Sequence, residues 1–280
     1  MSTLAFVVDS TADLPDGLQA HPDIRVVPLR INWGDQTYRD RVDISTGEFY
    51  ERLRGSSTTP STAAPPPADF EQVYQELLAT YAGVVSIHLP GTLSATFAAA
   101  AGAAQRINPE RIKVVEGGHC SLGLGWLAER ALEVGSKSGD VDQAAEAARA
   151  LVSRVRLLVT LDTLEFLQRG GRIGRVSALA GALLNVKPLL EIRAGEVLPI
   201  ERVRSRRNAL RRLRELTLEL GHLERIAVLH GDALAEADDL SEALASDYPR
   251  IRVERGEISP VVGVHGGPGT VAVTCIVAET

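Results

Sequence analysis

The sequence predicts an α/β fold in two domains, a Rossmann-like N-terminal domain with a parallel sheet and a C-terminal α/β domain with a mixed sheet. Short β-branched runs alternate with helical stretches along the chain, which is the pattern of α/β folds whose sheets are largely parallel. In the second half, Gly195-Glu196 lies between two strand-like runs and signals a hairpin, so that sheet contains antiparallel pairs. A chain of 280 residues with 45% hydrophobic content can also bury a substantial core. The boundary falls near Ser153, giving domains of 1–153 and 154–280.

In chain order, a strand is expected at 4–8, running into Asp9-Ser-Thr-Ala-Asp13. There Ser10 and Asp13 have the spacing of a capping box opening a short helix, and the strand end could place Asp9 and Ser10 at the edge of a site. A strand at 24–31 and a helix at 46–53 follow. Residues 55–67 are rich in Ser, Thr and Pro, and the prolines remove donors and hold φ extended, which excludes regular helix and central strand. Lying between helices of one domain, this segment suits a binding loop as well as a linker. A helix at 69–81, a strand at 84–89, a helix at 94–107 and a strand at 112–115 continue the first sheet. Helices at 122–137 and 141–154 lead to strands at 156–161, 186–192, 197–203, 225–230, 251–255 and 271–277. No internal repeat is evident.

Composition narrows the function. The 36 acidic and 30 basic residues leave a net charge of -6, which argues against general nucleic-acid binding because phosphate neutralisation needs a basic surface. Two cysteines, Cys120 and Cys275, suggest neither a disulfide framework nor a four-ligand zinc site, and no metal or cofactor is expected. The start lacks a basic n-region, and no apolar run approaches the roughly 20 residues of a membrane helix, so a cytoplasmic protein is expected. Aromatic residues make up only 4%, so a ligand cavity would be lined by Leu, Val, Ile and Ala and would suit a flexible aliphatic ligand.

Four segments carry candidate chemistry. In Ile258 to Val273 an apolar run delivers His265 into Gly266-Gly267-Pro268-Gly269, where glycines allow close backbone approach and the proline stiffens the loop. In Val84 to Phe97 a strand ends in a Pro-Gly turn and a helix begins near Ser94, so free amides, the helix dipole and a hydroxyl could together hold an anion; Ser94 capping its own helix is the plainer reading. Leu164 to Arg175 joins a helix to a glycine turn carrying Arg169, Arg172 and Arg175, without the Gly-Lys-Ser/Thr ending of a nucleotide loop. Arg202 to Arg214 concentrates seven arginines, mostly a solvated helix face but also suited to an acidic or phosphorylated partner.

In order along nearly the whole chain, these motifs resemble the DegV family of fatty-acid-binding proteins, which includes the binding subunits of bacterial fatty acid kinase. Asp9 to Leu14 is similar to the family's opening motif and Pro60 to Phe70 to its Thr-Ser-Gln-Pro loop. Ser86 to Thr96 resembles its serine-rich turn, Ser121 to Gly125 its central glycine helix start and Leu164 to Gly174 its Gly-Gly-Arg-Ile loop. Asn185-Val-Lys-Pro188, Arg204 and His265 to Gly269 complete the series. The resemblance implies a long-chain fatty acid, palmitate- or oleate-like, with its carboxylate held by Thr62 and Ser94 and with His265 close by. It also implies that an ATP-dependent kinase subunit converts the presented carboxylate to an acyl phosphate for lipid transport and phospholipid synthesis, with Arg172 and Arg204 facing that partner. This chain would then be carrier rather than catalyst, with hydroxyls and an imidazole orienting the head without a buried fixed cation. Ala63 and Ala64 replace the family's Ser-Gln, Pro90 and Gly91 a Ser pair, Ala95 a Gly and Glu116-Gly117 an Asp-Ser, which removes optional hydroxyl donors. The alternative is a stand-alone enzyme, since the second half also resembles dihydroxyacetone-kinase-like folds. His265 would then act on a small carbonyl or phosphorylated substrate, oriented by a distant carboxylate such as Asp9.

Overall fold

The computed structural model describes residues 3–176 and 186–279. The first sheet is wholly parallel, built from β1 (Leu4–Asp9), β2 (Ile24–Val27), β6 (Gly83–His88) and β7 (Ile112–Glu116) in the order β2-β1-β6-β7. Every residue of β1 and β6 is buried, as expected of parallel strands covered on both faces. The helices covering them are α2 (Pro67–Leu78), α3 (Thr96–Ile107), α4 (Ser121–Ser138) and α5 (Val141–Val152). The second sheet is mixed, with β8 (Val155–Thr160), β9 (Lys187–Arg193), β10 (Glu196–Val203), β11 (Leu223–Gly231), β12 (Val253–Glu257) and β13 (Thr270–Val277) in the order β10-β9-β8-β13-β11-β12. Only β11 and β12 run parallel in it. Ala194 and Gly195, at φ 48 and 82, form the two-residue turn between β9 and β10 that the Gly195-Glu196 signal predicts.

Three local expectations are corrected. The strand at 24–31 is two strands, because Pro28 has no amide for the ladder and the Leu29 amide turns instead to Ser10 Oγ at 3.0 Å. After that break, β3 (Arg30–Trp33) leaves the parallel sheet for a small antiparallel one with β4 (Gln36–Arg39) and β5 (Ser61–Ala63), in the order β4-β3-β5. The proline-flanked 61–63 segment is therefore an edge strand, the one strand position that prolines allow. No helix opens at Ser10 either: its hydroxyl holds the Leu29 amide, and Asp13 pairs with Arg41 and accepts from Ser121, so neither side chain is free to cap. The strand at 251–255 lies two residues further on, and of the Asn185 to Pro188 motif Asn185 falls outside the described residues.

α4 occupies the middle. Its Leu124, Leu127, Ala128 and Ala131 join one buried cluster containing Phe6 and Val8 of the parallel sheet and Leu157 and Val159 of the mixed one. A second cluster lies beneath α7 (Arg206–Glu219) and α8 (Leu234–Asp247) on the other face of the mixed sheet. A third joins α1 (Thr46–Gly55) to β3 and to α9 (Pro260–Gly266), with Phe49 packed edge-on against Trp33 and Tyr50. Among the described residues no helix is long and apolar enough to cross a membrane. Because Phe49 is fully buried where these three elements meet, Phe49→Ala is expected to cost about 3 to 5 kcal/mol in denaturant unfolding. A loss below about 1 kcal/mol would show that the cluster does not hold α9 in place.

Candidate functional site

Between the start of α4 and the mixed sheet lies a cavity of about 110 Å³ lined mostly by aliphatic side chains. One wall is a single face of the mixed sheet. Leu157 pairs with Ile192, Ile192 with Val197, and Val159 with Leu190 and Ala272, so strand alternation turns all of them inward. Leu29, Leu89, Leu167, Ile258, Val261 and Val262 close the other sides. On the cavity wall Leu157, Leu190, Thr11, Cys120 and Ser121 are buried, while Thr62, Ser94, Arg172 and His265 are half-buried. The cavity is thus mostly aliphatic, with four half-buried polar side chains on its wall.

Each mouth residue has a local reason for its place. On β5, Ser61 and Ala63 point outward and Thr62, paired with Ile31, points in. The apolar run before Gly267 is helical, and α9 lays Val261 and Val264 on the Phe49 cluster while His265 reaches Thr62, their Oγ1 and Nε2 sharing a hydrogen bond of 2.9 Å. α6 (Glu165–Arg169) stops at Gly170, where a Cβ would lie 2.2 Å from His265 Nδ1; only glycine lets the ring come this close. Arg172 donates from Nη1 to Gly170 O at 2.7 Å and from Nε to Leu93 O at 3.1 Å. It therefore clips the turn beneath His265 to the loop carrying Ser94. Ser94 Oγ lies 2.9 Å from Thr96 Oγ1 and accepts the Thr96 amide at 3.3 Å, so Ser94 precedes α3 and still braces its first turn.

Burial, and then the nearby Arg172 guanidinium, push the His265 imidazole down to about 4, so it is uncharged at neutral pH. Its Nδ1 has no partner among the described residues, and Arg172 makes no ion pair there. The mouth therefore presents one fixed positive charge, a neutral imidazole and two hydroxyls. Cys120 lines the deep wall with its thiol pushed up by burial to about 12, which keeps it protonated.

The structure gathers Thr62, Ser94 and His265 at one mouth and puts Arg172 on the cavity wall with them. Arg204 stands apart and exposed, one residue beyond Val203, whose strand partner Lys187 binds Asp162. Of the other arginines in that segment, Arg206, Arg211, Arg212 and Arg214 are tied up in ion pairs with Glu236, Glu215, Glu201 and Asp247. Asp9 does not orient His265. Its carboxylate accepts from Thr11 and the Leu89 amide and pairs with His88 Nδ1 at 3.1 Å. Neither Asp9 nor Ser10 lines the cavity; Thr11 does, because the chain reverses after β1. Sequence reasoning missed Thr11, Cys120 and the role of Gly170, and only the glycine turn beside Arg172 hinted at a close approach.

The fold has known counterparts. Residues 3–278 match the family described as "Uncharacterised protein, DegV family". The fold superposes on DegV, a fatty acid binding protein from Bacillus subtilis, with a TM-score of 0.88, 30% identity and coverage of 99% of this chain and 100% of that one. A DegV family protein from Thermus thermophilus, described by its fatty acid binding, gives 0.89 at 32% identity, again over 99% and 100% of the two chains. At 18% identity the Fatty Acid Kinase (Fak) B3 protein of Streptococcus pneumoniae, loaded with linoleic acid, shares the fold with a TM-score of 0.86 over 99% and 100%. The match spans nearly the whole length of each. The chain belongs to the DegV family.

In the ligand-free protein His265 should titrate near 4 by NMR, and Gly170→Ala, which displaces the ring toward water, should move it back toward its ordinary 6.5. Because the folded value lies below the unfolded one, the stability tied to this ring is complete above 6.5 and is lost as pH falls toward 4; His119, also pushed down to about 4 by burial, acts in the same direction. An ordinary value in the wild-type protein would contradict the desolvated site.

Proposed function

We propose that this chain binds one long-chain fatty acid, palmitate- or oleate-like, with its tail along β8 and its carboxylate at Thr62, Ser94, His265 and Arg172. The observation that carries this is the presence of those four half-buried polar groups on the wall of a largely aliphatic cavity. The two relatives of about 30% identity named above, both described as fatty acid binding, support it. From Leu161 to Leu157 the wall runs roughly 13 Å at a strand rise of about 3.3 Å per residue, which seats part of an extended acyl chain. Burying about 14 methylenes gains on the order of 11 kcal/mol before ordering costs. The tail thus supplies affinity and the head supplies orientation. In the tautomer whose Nε2–H donates to Thr62 Oγ1, the Thr62 hydroxyl hydrogen remains available to a carboxylate oxygen. Ser94 offers a second hydroxyl, and Arg172 supplies the charge that the sequence reading left to neutral donors.

The same reading makes the chain a presenter. Held at the mouth, a carboxylate oxygen can attack the γ-phosphorus of ATP brought by a partner kinase, releasing ADP and leaving an acyl phosphate. Exposed Arg204 suits docking of that partner, whereas Arg172 serves the ligand. The stand-alone enzyme reading draws no support, since no carboxylate among the described residues orients His265.

Protein purified from a lipid-replete host should carry about one saturated or mono-unsaturated fatty acid per chain by mass spectrometry. If delipidated protein takes up neither palmitate nor oleate, the carrier reading fails. Thr62→Ala and Ser94→Ala should each weaken retention by about 1.5 to 3 kcal/mol, the cost of a charged hydrogen bond. Strict additivity in the double variant would count against a shared headgroup. Arg172→Ala should lose ligand, while Arg204→Ala should keep its lipid and slow acyl phosphate formation with a cognate kinase; equal behaviour of the two arginine variants would undo the division of roles.

A further inference from the structure

Apart from the fatty-acid cavity, a larger cleft of about 870 Å³ lies between the two halves of the chain. All five residues of β12, Val253 to Glu257, line it. Side chains of a strand alternate between its two faces, so a space that touches five residues in a row runs along the strand's backbone edge. β12 ends its sheet and pairs there only with β11. Most of the remaining lining comes from the turns after β1 and β4 and from Val26 and Pro28 at the end of β2, so this edge lies in a recess.

Other open edges of the sheets are blunted. β10 carries Pro199 and a register shift beside it, and β2 runs into Pro28, with Arg25 donating to Ile24 O at 3.2 Å. β12 has no proline and keeps regular register over its whole length. Among the described residues no hydrogen bond from outside β11 reaches its backbone. Its charged side chains are drawn aside, Glu254 to Arg225 of β11 and Arg255 to Asp238 of α8. An unblunted edge of this kind is a template for one more strand.

Shape and charge define the occupant. A second copy of this chain carries the same edge in the same recess, so two such edges cannot meet, whereas a single extended segment can enter. The charge surplus of the cleft is negative. Asp13 takes Arg41, Arg252 is matched by Asp16 at 3.8 Å, Asp40 shares Arg41 with Asp13, and Glu257 has no ion pair among the described residues. Val26 and Val42, 43% and 58% exposed, add apolar surface to the same cleft. We propose that the cleft docks an extended, basic segment of another protein, which adds to the mixed sheet as a strand beside β12 and directs a lysine or arginine toward Glu257. The segment's backbone completes the open ladder, its apolar side chains cover Val26 and Val42, and its cation offsets the acidic surplus. This docking is independent of the fatty-acid reading.

The probes are two fluorescein-labelled heptapeptides, one alternating valine with lysine and the other valine with glutamate, added to the wild-type protein and followed by anisotropy and by hydrogen exchange of the β12 amides. The lysine peptide should bind more tightly than the glutamate peptide and should slow exchange at alternate residues of 253–257, those whose amides face away from β11. Methylating alternate backbone nitrogens of the lysine peptide, in each of the two phases, should weaken binding by about tenfold or more in one phase, where ladder hydrogen bonds are lost. Glu257→Lys should weaken the lysine peptide by up to about fivefold at low salt, with Glu257→Gln used in its place if that variant does not fold. Binding of neither peptide, binding without protection of β12, equal affinity of both methylated phases and the parent, or a glutamate peptide that binds as well as the lysine one would overturn the proposal. Protection of β12 that rises with protein concentration in the absence of peptide would overturn it in favour of a second copy.

Discussion

The hydrogen bond between Thr62 and His265 joins residues 203 positions apart, and the mouth of the cavity depends on it. One partner rides on a three-residue edge strand and the other on a seven-residue helix, neither of which would hold a side chain in place by itself. Their rigidity is borrowed. β5 is laid on β3, α9 is pressed onto Phe49 and Tyr50 of α1, and both meet over one apolar cluster. Arg172 adds the last constraint by binding the backbone of two loops at once, so that Ser94 and the turn beneath His265 share a support.

This support carries a cost that is informative. His265 keeps a buried ring nitrogen without a partner, and Arg172 keeps a charge without a carboxylate. The unpaired Arg172 charge suits an anionic head at this mouth, whereas the bare ring nitrogen, packed against Gly170, is an acceptor that a carboxylate does not meet. Deeper in, the logic reverses. Aliphatic side chains from four strands and α9 present almost nothing to hydrogen bond, and the polar residues that do reach the deep wall are turned to the protein, Ser121 donating to Asp13 and Thr11 to Asp9. A ligand polar at one end and aliphatic along its length matches both conditions.

Much of this was legible in the sequence because it is local. The alternation of β-branched runs with amphipathic helices marks the two sheets, and Gly195 marks the tight hairpin between β9 and β10. Thr62, Ser94 and His265 could be named because each sits beside proline or glycine in a recognisable order. What was not legible is where side chains turn once the chain is packed. Pro28 ends a strand only because Ser10 is there to take the next amide, and that same contact denies Ser10 its cap. Arg172 looks like surface charge in a glycine turn; two backbone carbonyls, from Gly170 and from Leu93 far away in sequence, draw it to the cavity.

The central claim is one of orientation, with the carboxylate at the Thr62 and His265 mouth and the methyl end against Leu157 and Val197. Isotope-filtered NMR on protein loaded with uniformly ¹³C-labelled oleate reads this directly. The account predicts cross-peaks from the C2 methylene to the Thr62 methyl and the His265 ring, and from the terminal methyl to Leu157 or Val197. Cross-peaks in the reverse sense, or a bound oleate that contacts neither set, would contradict it.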